Sequence, residues 1–308
     1  VEGTKCLVLG GGGFIGTNLC RELRARGALV RGFGRSRQFA DALDGVEWVF
    51  GDLNDADCLE GLIRGIDIVF HLIGSGLPNS SNAHPADDVI DSIRGTVLLL
   101  DACRGANIRK IVYVSSGGTV YGVTGDRPIA ETMPTDPICA YGIGKLTIEK
   151  YFSLYGYLYG MNFSVLRVAN PYGRFQTANR QQGVIAALLK RAIRGEKLEI
   201  WGDGSVTRDF LHVDDVVAAM LAVVDYDGPH HVFNVGSGVG RSLRTIVGDI
   251  AAVLRRDDLP IAYQDARPAD VPVNVLDIGL IRQQIGWLPR VEWMSGLERT
   301  AAWLRENL

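Results

Sequence analysis

Short apolar runs, each closed by glycine or polar residues and followed by a helix-spaced segment, recur through the first 170 residues. Lys5–Leu9 reads as a continuous apolar strand, and Gly10–Gly13 follows it. A helix is expected from about Phe14 to Arg26, with Leu19 and Leu23 on one face. Further strands are expected at Ala28–Phe33, Val46–Phe50, Asp67–Leu72, Lys110–Ser115 and Phe163–Val168, with a helix over about Ile90–Arg104. These strands are near-uniformly apolar and do not alternate, the pattern of strands covered by helices on both faces. Strand and helix in repeated succession imply a parallel sheet with right-handed crossovers.

After Asn170 the pattern changes. A Gly/Arg/Gln-rich loop, Gly173–Gly183, leads to an expected helix over Val184–Arg194, a strand near Leu198–Trp201 and a polar turn, Gly202–Thr207. A helix over Val213–Val224 and a strand at His231–Val235 come next. The remainder reads as helical at Leu243–Leu254, Ile278–Ile285 and Trp293–Leu304, with a Pro-rich connector between the first two. Phe210 and Trp201 are expected in the core.

Composition narrows the class. With 22% charged and 47% hydrophobic residues, the 308-residue chain can bury a substantial core and does not resemble a disordered polymer. The 32 Lys+Arg against 35 Asp+Glu leave a net charge of -3, which gives no reason to expect a nucleic-acid partner. Cys6, Cys20, Cys58, Cys103 and Cys139 are scattered without a C-x-x-C pair, so buried thiols in a reducing compartment are expected. No histidine spacing marks a metal site. No charged-then-apolar leader opens the sequence, and no apolar run approaches the ~20 residues of a membrane span. The longest apolar stretch, Val216–Val224, reads as an amphipathic helix ended by Asp225. A cytoplasmic enzyme without a membrane span is the expectation.

The first glycine cluster changes the picture from architecture to chemistry. Gly10-x-x-Gly13-x-x-Gly16 lies between a strand and a helix. There one glycine makes the tight turn, another admits a pyrophosphate, and a third lets helix and strand pack closely. The helix N-terminus, beginning at Phe14 and Ile15, then faces the phosphate charge. The sequence argues against an ATP-type phosphate loop, because Gly16 is followed by Thr17 and Asn18. The fold class expected is therefore α/β, a doubly wound parallel sheet of Rossmann type with a smaller, interleaved C-terminal lobe. Residues 1–172, with 205–237 returning to them, form the dinucleotide-binding part, and 173–204 and 238–308 form the substrate lobe. The second strand ends Gly32-Phe33-Gly34-Arg35-Ser36-Arg37, with no carboxylate at its tip. A 2′-hydroxyl loses its acceptor there, and Arg35 offers donors to a 2′-phosphate, so NAD and NADP both stay open. Asp52, followed by Leu53 after the third strand, is placed to accept from an adenine amino group.

The densest chemistry lies between Ser115 and Lys145. The fifth strand runs into Ser115-Ser116-Gly117-Gly118-Thr119-Val120-Tyr121-Gly122, and Tyr141-Gly142-Ile143-Gly144-Lys145 opens a helix. Tyr141 and Lys145 are four apart and share a helical face. A free phenol titrates near 10, too high for a base at neutral pH, and a neighbouring ammonium or cationic nicotinamide favours the phenolate. Hydroxyls of Ser116 or Thr119 can bind the same substrate oxygen.

With these elements in order, the sequence resembles an extended short-chain dehydrogenase/reductase, the group that includes UDP-glucose 4-epimerase and the nucleotide-sugar dehydratases. Besides the glycine loop and Tyr141-x-x-x-Lys145, the matching elements include His71-Leu72, Gly95-Thr96, Arg167-x-x-Asn170-x-Tyr172-Gly173 and Gly202-Asp203-Gly204-Ser205-x-Thr207-Arg208-Asp209-Phe210. Val213-Asp214-Asp215, Asn234-x-Gly236 and Gly286-Trp287-x-Pro289 continue the match. The resemblance implies that Tyr141 takes the sugar C4 hydroxyl proton while hydride passes to the nicotinamide, and that Lys145 holds the nicotinamide ribose. It further implies a diphosphate clamped by Arg208 and Arg267, Asn170 touching the sugar or its phosphate, and a homodimer through Leu98, Leu99, Ile148, Phe152 and Tyr155. Seven residues after Arg267, Asn274 replaces the bulky tyrosine of galactose epimerases, which points to N-acetylhexosamines as well as plain hexoses.

Three positions depart from the family pattern. Gly117 stands where a catalytic Ser or Thr is usual, Ser92 stands for the usual asparagine, and the acidic tip of the second strand is missing. Gly118-Thr119 also lacks the carboxylates that a 4,6-dehydratase needs. The expected activity is a UDP-hexose or UDP-N-acetylhexosamine 4-epimerase with bound NAD. An NADP-dependent nucleotide-4-keto-sugar reductase is the alternative, and a protein that keeps its cofactor only as a structural or redox-sensing element is the third.

Overall fold

The computed structural model describes residues 1–74, 78–125, 127–177, 183–265 and 271–308. Strands β1 (Lys5–Leu9), β2 (Leu29–Gly34), β3 (Glu47–Phe50), β4 (Ile68–His71), β5 (Lys110–Ser116) and β6 (Phe163–Val168) build the main sheet. Between them run α1 (Phe14–Ala25), α2 (Ala56–Ile63), α3 (Pro78–Ala83), α4 (Pro85–Asp88), α5 (Gly95–Arg104) and α6 (Ala140–Tyr159). The later elements are β7 (Asn170–Tyr172), α7 (Val184–Arg194), β8 (Leu198–Trp201), β9 (Thr207–His212), α8 (Val213–Ala222) and β10 (Val232–Val235). Then come β11 (Gly240–Ser242), α9 (Leu243–Leu254), β12 (Ile261–Gln264), β13 (Val273–Asn274), α10 (Gly279–Ile285) and α11 (Trp293–Asn307).

The sheet order is β10-β6-β5-β4-β1-β2-β3 and every pairing is parallel. The chain moves outward from β1 through β3 and then returns to β4, so the direction switches between β1 and β4. A crevice opens at the carboxyl ends of the strands at such a point. Alternate residues of one strand serve two cores. Cys6 and Val8 join Leu19, Leu23, Val216 and Met220 on the α1/α8 face, while Leu7 and Leu9 join Leu59, Leu99, Ile148 and Phe152 on the α2/α5/α6 face. Burial on both faces is why the strands carry no polar alternation.

The C-terminal lobe has its own core, with Ile185, Leu189, Phe210, Ile250 and Leu297 among its members. Its small sheet runs β11-β9-β13, with β7 also paired to β9, and β8 pairs with β12. Strand β8 lies where a strand was expected, whereas β7, β9, β11, β12 and β13 were not expected. Strands of two to six residues carry too little periodicity to read, and their pairing partners are distant in sequence. The helix expected from Ile90 is α-helical only from Gly95, because Val89–Arg94 forms a π-type turn. α8 is buried nearly all round, which replaces the expected amphipathic helix; its residues pack against the sheet and α1. Trp201, expected inside, is 37% exposed. Cys6, Cys20 and Cys103 are buried as expected, whereas Cys58 and Cys139 are only half-buried; all five are free thiols.

The lobes interlock through polar bonds. Asp209, fully buried on β9, accepts from Ser237 N at 2.7 Å, Ser237 Oγ at 2.6 Å, Gly238 N at 3.1 Å and Leu276 N at 3.3 Å. Asn18 of α1 donates to Arg174 O at 3.0 Å and accepts from Arg174 Nε at 3.0 Å.

Candidate active site

Gly10 opens the turn after β1 with φ +79°, a conformation that disfavours any side chain, and its N–H donates to Phe33 O at 2.8 Å. A Cβ on Gly16 would lie 2.2 Å from Gly10 O. Only glycine allows α1 to start this close to the turn. Gly13 caps α1 without a side-chain bond, and no acidic residue stands in the first turn. The N–H groups at Phe14 and Ile15 thus face a cradle lined by backbone, suited to a pyrophosphate.

Around that cradle the residues divide. Arg35 is exposed just past β2 and has no hydrogen bond or ion pair among the described residues. Arg37 is held back, donating to Ala40 O at 3.0 Å and Leu43 O at 2.8 Å. Asp52 is exposed beyond β3 and accepts from Asn54 N at 2.9 Å and Asn54 Nδ2 at 3.1 Å, while Leu53 is buried beneath it.

Tyr141 sits in the first turn of α6, half-buried, and Lys145 lies one turn on with 6% exposure. The Lys145 ammonium lies 5.7 Å from the Tyr141 ring centre and 4.9 Å from that of Tyr113, and donates to Val114 O at 2.9 Å. Burial pushes the Tyr113 phenol well above its ordinary range, with the Tyr141 and Glu149 charges adding to the effect. The buried imidazole of His71 is pulled down to about 3, by burial first and by Lys145 second.

The strand end facing Tyr141 clarifies the glycine at position 117. A Cβ there would meet Leu276 Cδ1 at 2.5 Å and Arg167 O at 3.0 Å. Leu276 occupies the space that a serine or threonine side chain would need. Thr119 carries a buried hydroxyl with no partner among the described residues, and its carbonyl lies against Gly142, next to Tyr141. Ser116 ends β5 half-buried, and the preceding Ser115 bonds to Glu149.

Residues far apart in sequence close the site from the other lobe. In the small sheet Arg208 stands opposite Arg241 on one side and Asn274 on the other. Asn274 is buried, donates through Nδ2 to Gly117 O at 3.2 Å, and leaves Oδ1 without a partner among the described residues. Asn170 opens β7 and donates to Asp209 O at 3.0 Å. Arg208 Nη1 donates to Thr207 O at 3.0 Å. Arg267 lies outside the described residues.

The sequence profile of the NAD dependent epimerase/dehydratase family matches residues 6–236. The chain belongs to this family. UDP-glucose 4-epimerase of Mycolicibacterium smegmatis is 36% identical over 98% of this chain and 99% of its own length. Among solved structures, the family member UDP-glucose 4-epimerase of Thermotoga maritima, determined with UDP-glucose, superposes with TM-score 0.94 at 31% identity and 99% coverage of both chains. A second member, UDP-glucose 4-epimerase of Thermus thermophilus in complex with NAD, gives TM-score 0.92 at 28% identity, covering 99% of this chain and 100% of that one. Among the described residues there is no group of three or more potential metal ligands, and no helix is long and apolar enough to cross a membrane.

Sequence reasoning missed several residues of the site. Leu276 gives no local signal, because only the tertiary fold brings it to Gly117. Glu149 and Arg167 did leave one: a carboxylate one turn past Lys145 on a buried face, and an arginine inside an otherwise apolar strand. Buried charges of that kind ordinarily occur in pairs.

Proposed function

We propose that this chain is a nucleotide-sugar 4-epimerase, acting on a UDP-hexose or UDP-N-acetylhexosamine with NAD in the crevice between β1 and β4. The observation that carries the reading is the Lys145 ammonium seated beside Tyr141 at the mouth of that crevice. The backbone cradle at Gly10, Gly13, Phe14, Ile15 and Gly16 fits a pyrophosphate, with Asp52 and Leu53 beside the adenine. When bound, NAD supplies a reversible hydride acceptor at its nicotinamide. Tyr141, as phenolate, takes the proton of the sugar C4 hydroxyl and returns it when the 4-keto sugar has presented its other face. Lys145 favours the phenolate by its charge and donates to the nicotinamide ribose. Thr119, with its unpartnered hydroxyl, and Ser116 hold the reacting oxygen in place of the absent side chain at 117.

Asn170, Arg208 and Arg267 take the sugar and diphosphate. The free Oδ1 of Asn274 can accept from an acetamido N–H. We assign residues 1–172 with 205–237 to the cofactor and 173–204 with 238–308 to the nucleotide sugar; most of the C-terminal core lies in the second set, while Phe210 joins that core from β9 and Ile281 and Trp287 pack on the main-sheet core. The free thiols support a reducing, cytoplasmic setting. A dehydratase is disfavoured by Gly118-Thr119, which supplies no carboxylate. One observation favours the reductase alternative: Arg35, free and past a strand tip without a carboxylate, suits the 2′-phosphate of NADP.

The test has two parts. Small molecules released on denaturing the purified protein should contain NAD at one per chain, and UDP-glucose should convert to UDP-galactose without added reductant. Tyr141→Phe should slow that conversion by about 10²- to 10⁴-fold. Release of NADPH alone, with turnover only of 4-keto sugars, would establish the reductase instead.

A further inference from the structure

Tyr141, Lys145 and Glu149 follow one another at intervals of four along α6 and so share one face. Glu149 is 3% exposed and Arg167, on β6, is 5% exposed. Arg167 grips the carboxylate with Nη2 to Oε2 at 2.7 Å and with Nε to Oε1 and Oε2 at 3.2 Å each. Ser115 of β5 donates to Oε1 as well. The free prong of Arg167, Nη1, donates to Tyr121 Oη at 2.9 Å, and Tyr121 in turn donates to Asn234 Oδ1 at 2.7 Å. Val114, whose carbonyl accepts from Lys145, immediately precedes Ser115.

We propose that Glu149 and Arg167 are positioning residues for the Tyr141–Lys145 couple: the pair clamps α6 to β5 and β6 and cancels the carboxylate's charge one turn from the Lys145 ammonium. The proposal rests on the reading of Tyr141 and Lys145 as the reacting couple. Its geometric half follows from the ties. β5 is bonded to α6 at two successive residues, through Lys145 and through Glu149. Ser115 and Arg167 are register partners across β5 and β6. Helix and strand ends therefore cannot slide past one another without breaking this buried network.

Its electrostatic half follows from the dry surroundings, where charges act over longer range than in water. A Glu149 carboxylate without Arg167 would draw on the Lys145 ammonium and disfavour the Tyr141 phenolate. An Arg167 cation without Glu149 would add positive potential and favour it. Among the described residues, the other titratable groups near this face include Tyr113 on β5, His71 on β4, Tyr121, whose phenol burial pushes up to about 12 despite Arg167, and Glu131, which accepts from Asn234 N and is raised by burial. His71 and the two phenols are uncharged near neutrality, which leaves the ion pair and Lys145 on α6 and β6, with Glu131 acting on the far side through Tyr121 and Arg167.

The Tyr141 titration reads this directly. Tyrosinate absorbance would be followed against pH in the protein as purified, each variant being compared with its own Tyr141→Phe counterpart. Arg167→Met is expected to raise the Tyr141 midpoint by about one pH unit, and Glu149→Gln to lower it by a similar amount. The double variant should return close to wild type. Unchanged midpoints, or two single variants moving the same way, would overturn the proposal. Should a single variant fail to fold, Arg167→Lys carries the test, since it keeps the charge and loses the fork. Its midpoint should hold while kcat falls and KM for the nucleotide sugar stays; an unchanged kcat overturns the positioning role. If the wild type turns over no UDP-sugar, the epimerase reading fails, and the titration still decides the ion pair.

Discussion

His71 keeps its proton on Nε2, and the neighbouring hydrogen bonds show why. Thr96 Oγ1 donates to Ser92 O at 2.7 Å, so at 2.9 Å from His71 Nε2 it can only accept. The other ring nitrogen, Nδ1, is buried without a partner among the described residues. The ring is fully buried, so charging it with a second proton is costly, and the charge would also stand beside Lys145; both pull its titration down to about 3. The unfolded chain takes up that proton near 6.5. Between these values the unfolded state binds more protons than the folded one, so stability falls as pH drops from about 6.5 toward 3. Denaturant unfolding at pH 6 and pH 4 should show the wild type losing up to ~1.4 kcal/mol per pH unit more than His71→Gln. Equal pH slopes would remove His71 as the acid-sensitive group. Gly117 makes a different point at the same scale. A residue read as a departure from the family pattern is matched by Leu276, whose side chain lies in the volume that a side chain at 117 would take.

Helix α6 carries the couple that performs the chemistry, and its start is set by contact. A Cβ on Gly142 would lie 2.6 Å from Thr119 O and 2.9 Å from Pro137 Cβ. Gly142→Ala must therefore push the first turn of α6 away from the strand end and move Tyr141 with it. About 1–3 kcal/mol of stability should be lost. Turnover should fall by ~10²-fold, since sub-ångström to 1 Å displacements of reacting groups have costs of that order. Thermal unfolding and kcat on the same preparation check both; a variant with normal kcat would show that α6 can adjust without moving Tyr141. The Tyr141–Lys145 spacing was legible in sequence because it repeats within one helix. Residues on the same helix were harder to assign to a neighbour. Leu99, Ile148, Phe152 and Tyr155 were expected at a dimer interface, yet each is at most 7% exposed within a single chain, and Leu98 is half-buried. Helical periodicity marks the apolar face and does not say whether its neighbour is a strand of the same chain or a second copy.

For the whole molecule, the apolar surface that a second chain could cover lies on residues other than those expected. Ile143, Leu154 and Leu158 on α6 are 53%, 45% and 53% exposed. We propose that the solvent face of α6 supplies the apolar part of a two-chain contact. Sedimentation should give twice the 33.5 kDa chain mass, and Leu154→Asp with Leu158→Asp should reduce it to one chain while far-ultraviolet circular dichroism stays unchanged. A wild type that sediments as one chain would refute the dimer. Within a chain the two lobes act as one unit through Asp209, which joins β9 to Ser237, Gly238 and Leu276. Phe39, Phe175 and Trp303 add an aromatic contact between the segment after β2 and α11, with ring centres 4.9 to 6.1 Å apart.

By itself the sequence determined the parallel sheet, the glycine turn, the opening of α6 and the family. Each of those rests on residues close together along the chain, where periodicity and turn chemistry act locally. Tertiary structure decided which side chains meet across long separations: Arg167 with Glu149, Asn274 with Gly117, Leu276 against the strand end, and Asp209 with the turn after β10. Such pairings depend on which elements pack together, and packing is fixed by the shape of the whole core. The short strands β7, β11 and β13 belong to the same class. They exist because partners at their sides complete their hydrogen bonds, and no pattern within two or three residues can announce that.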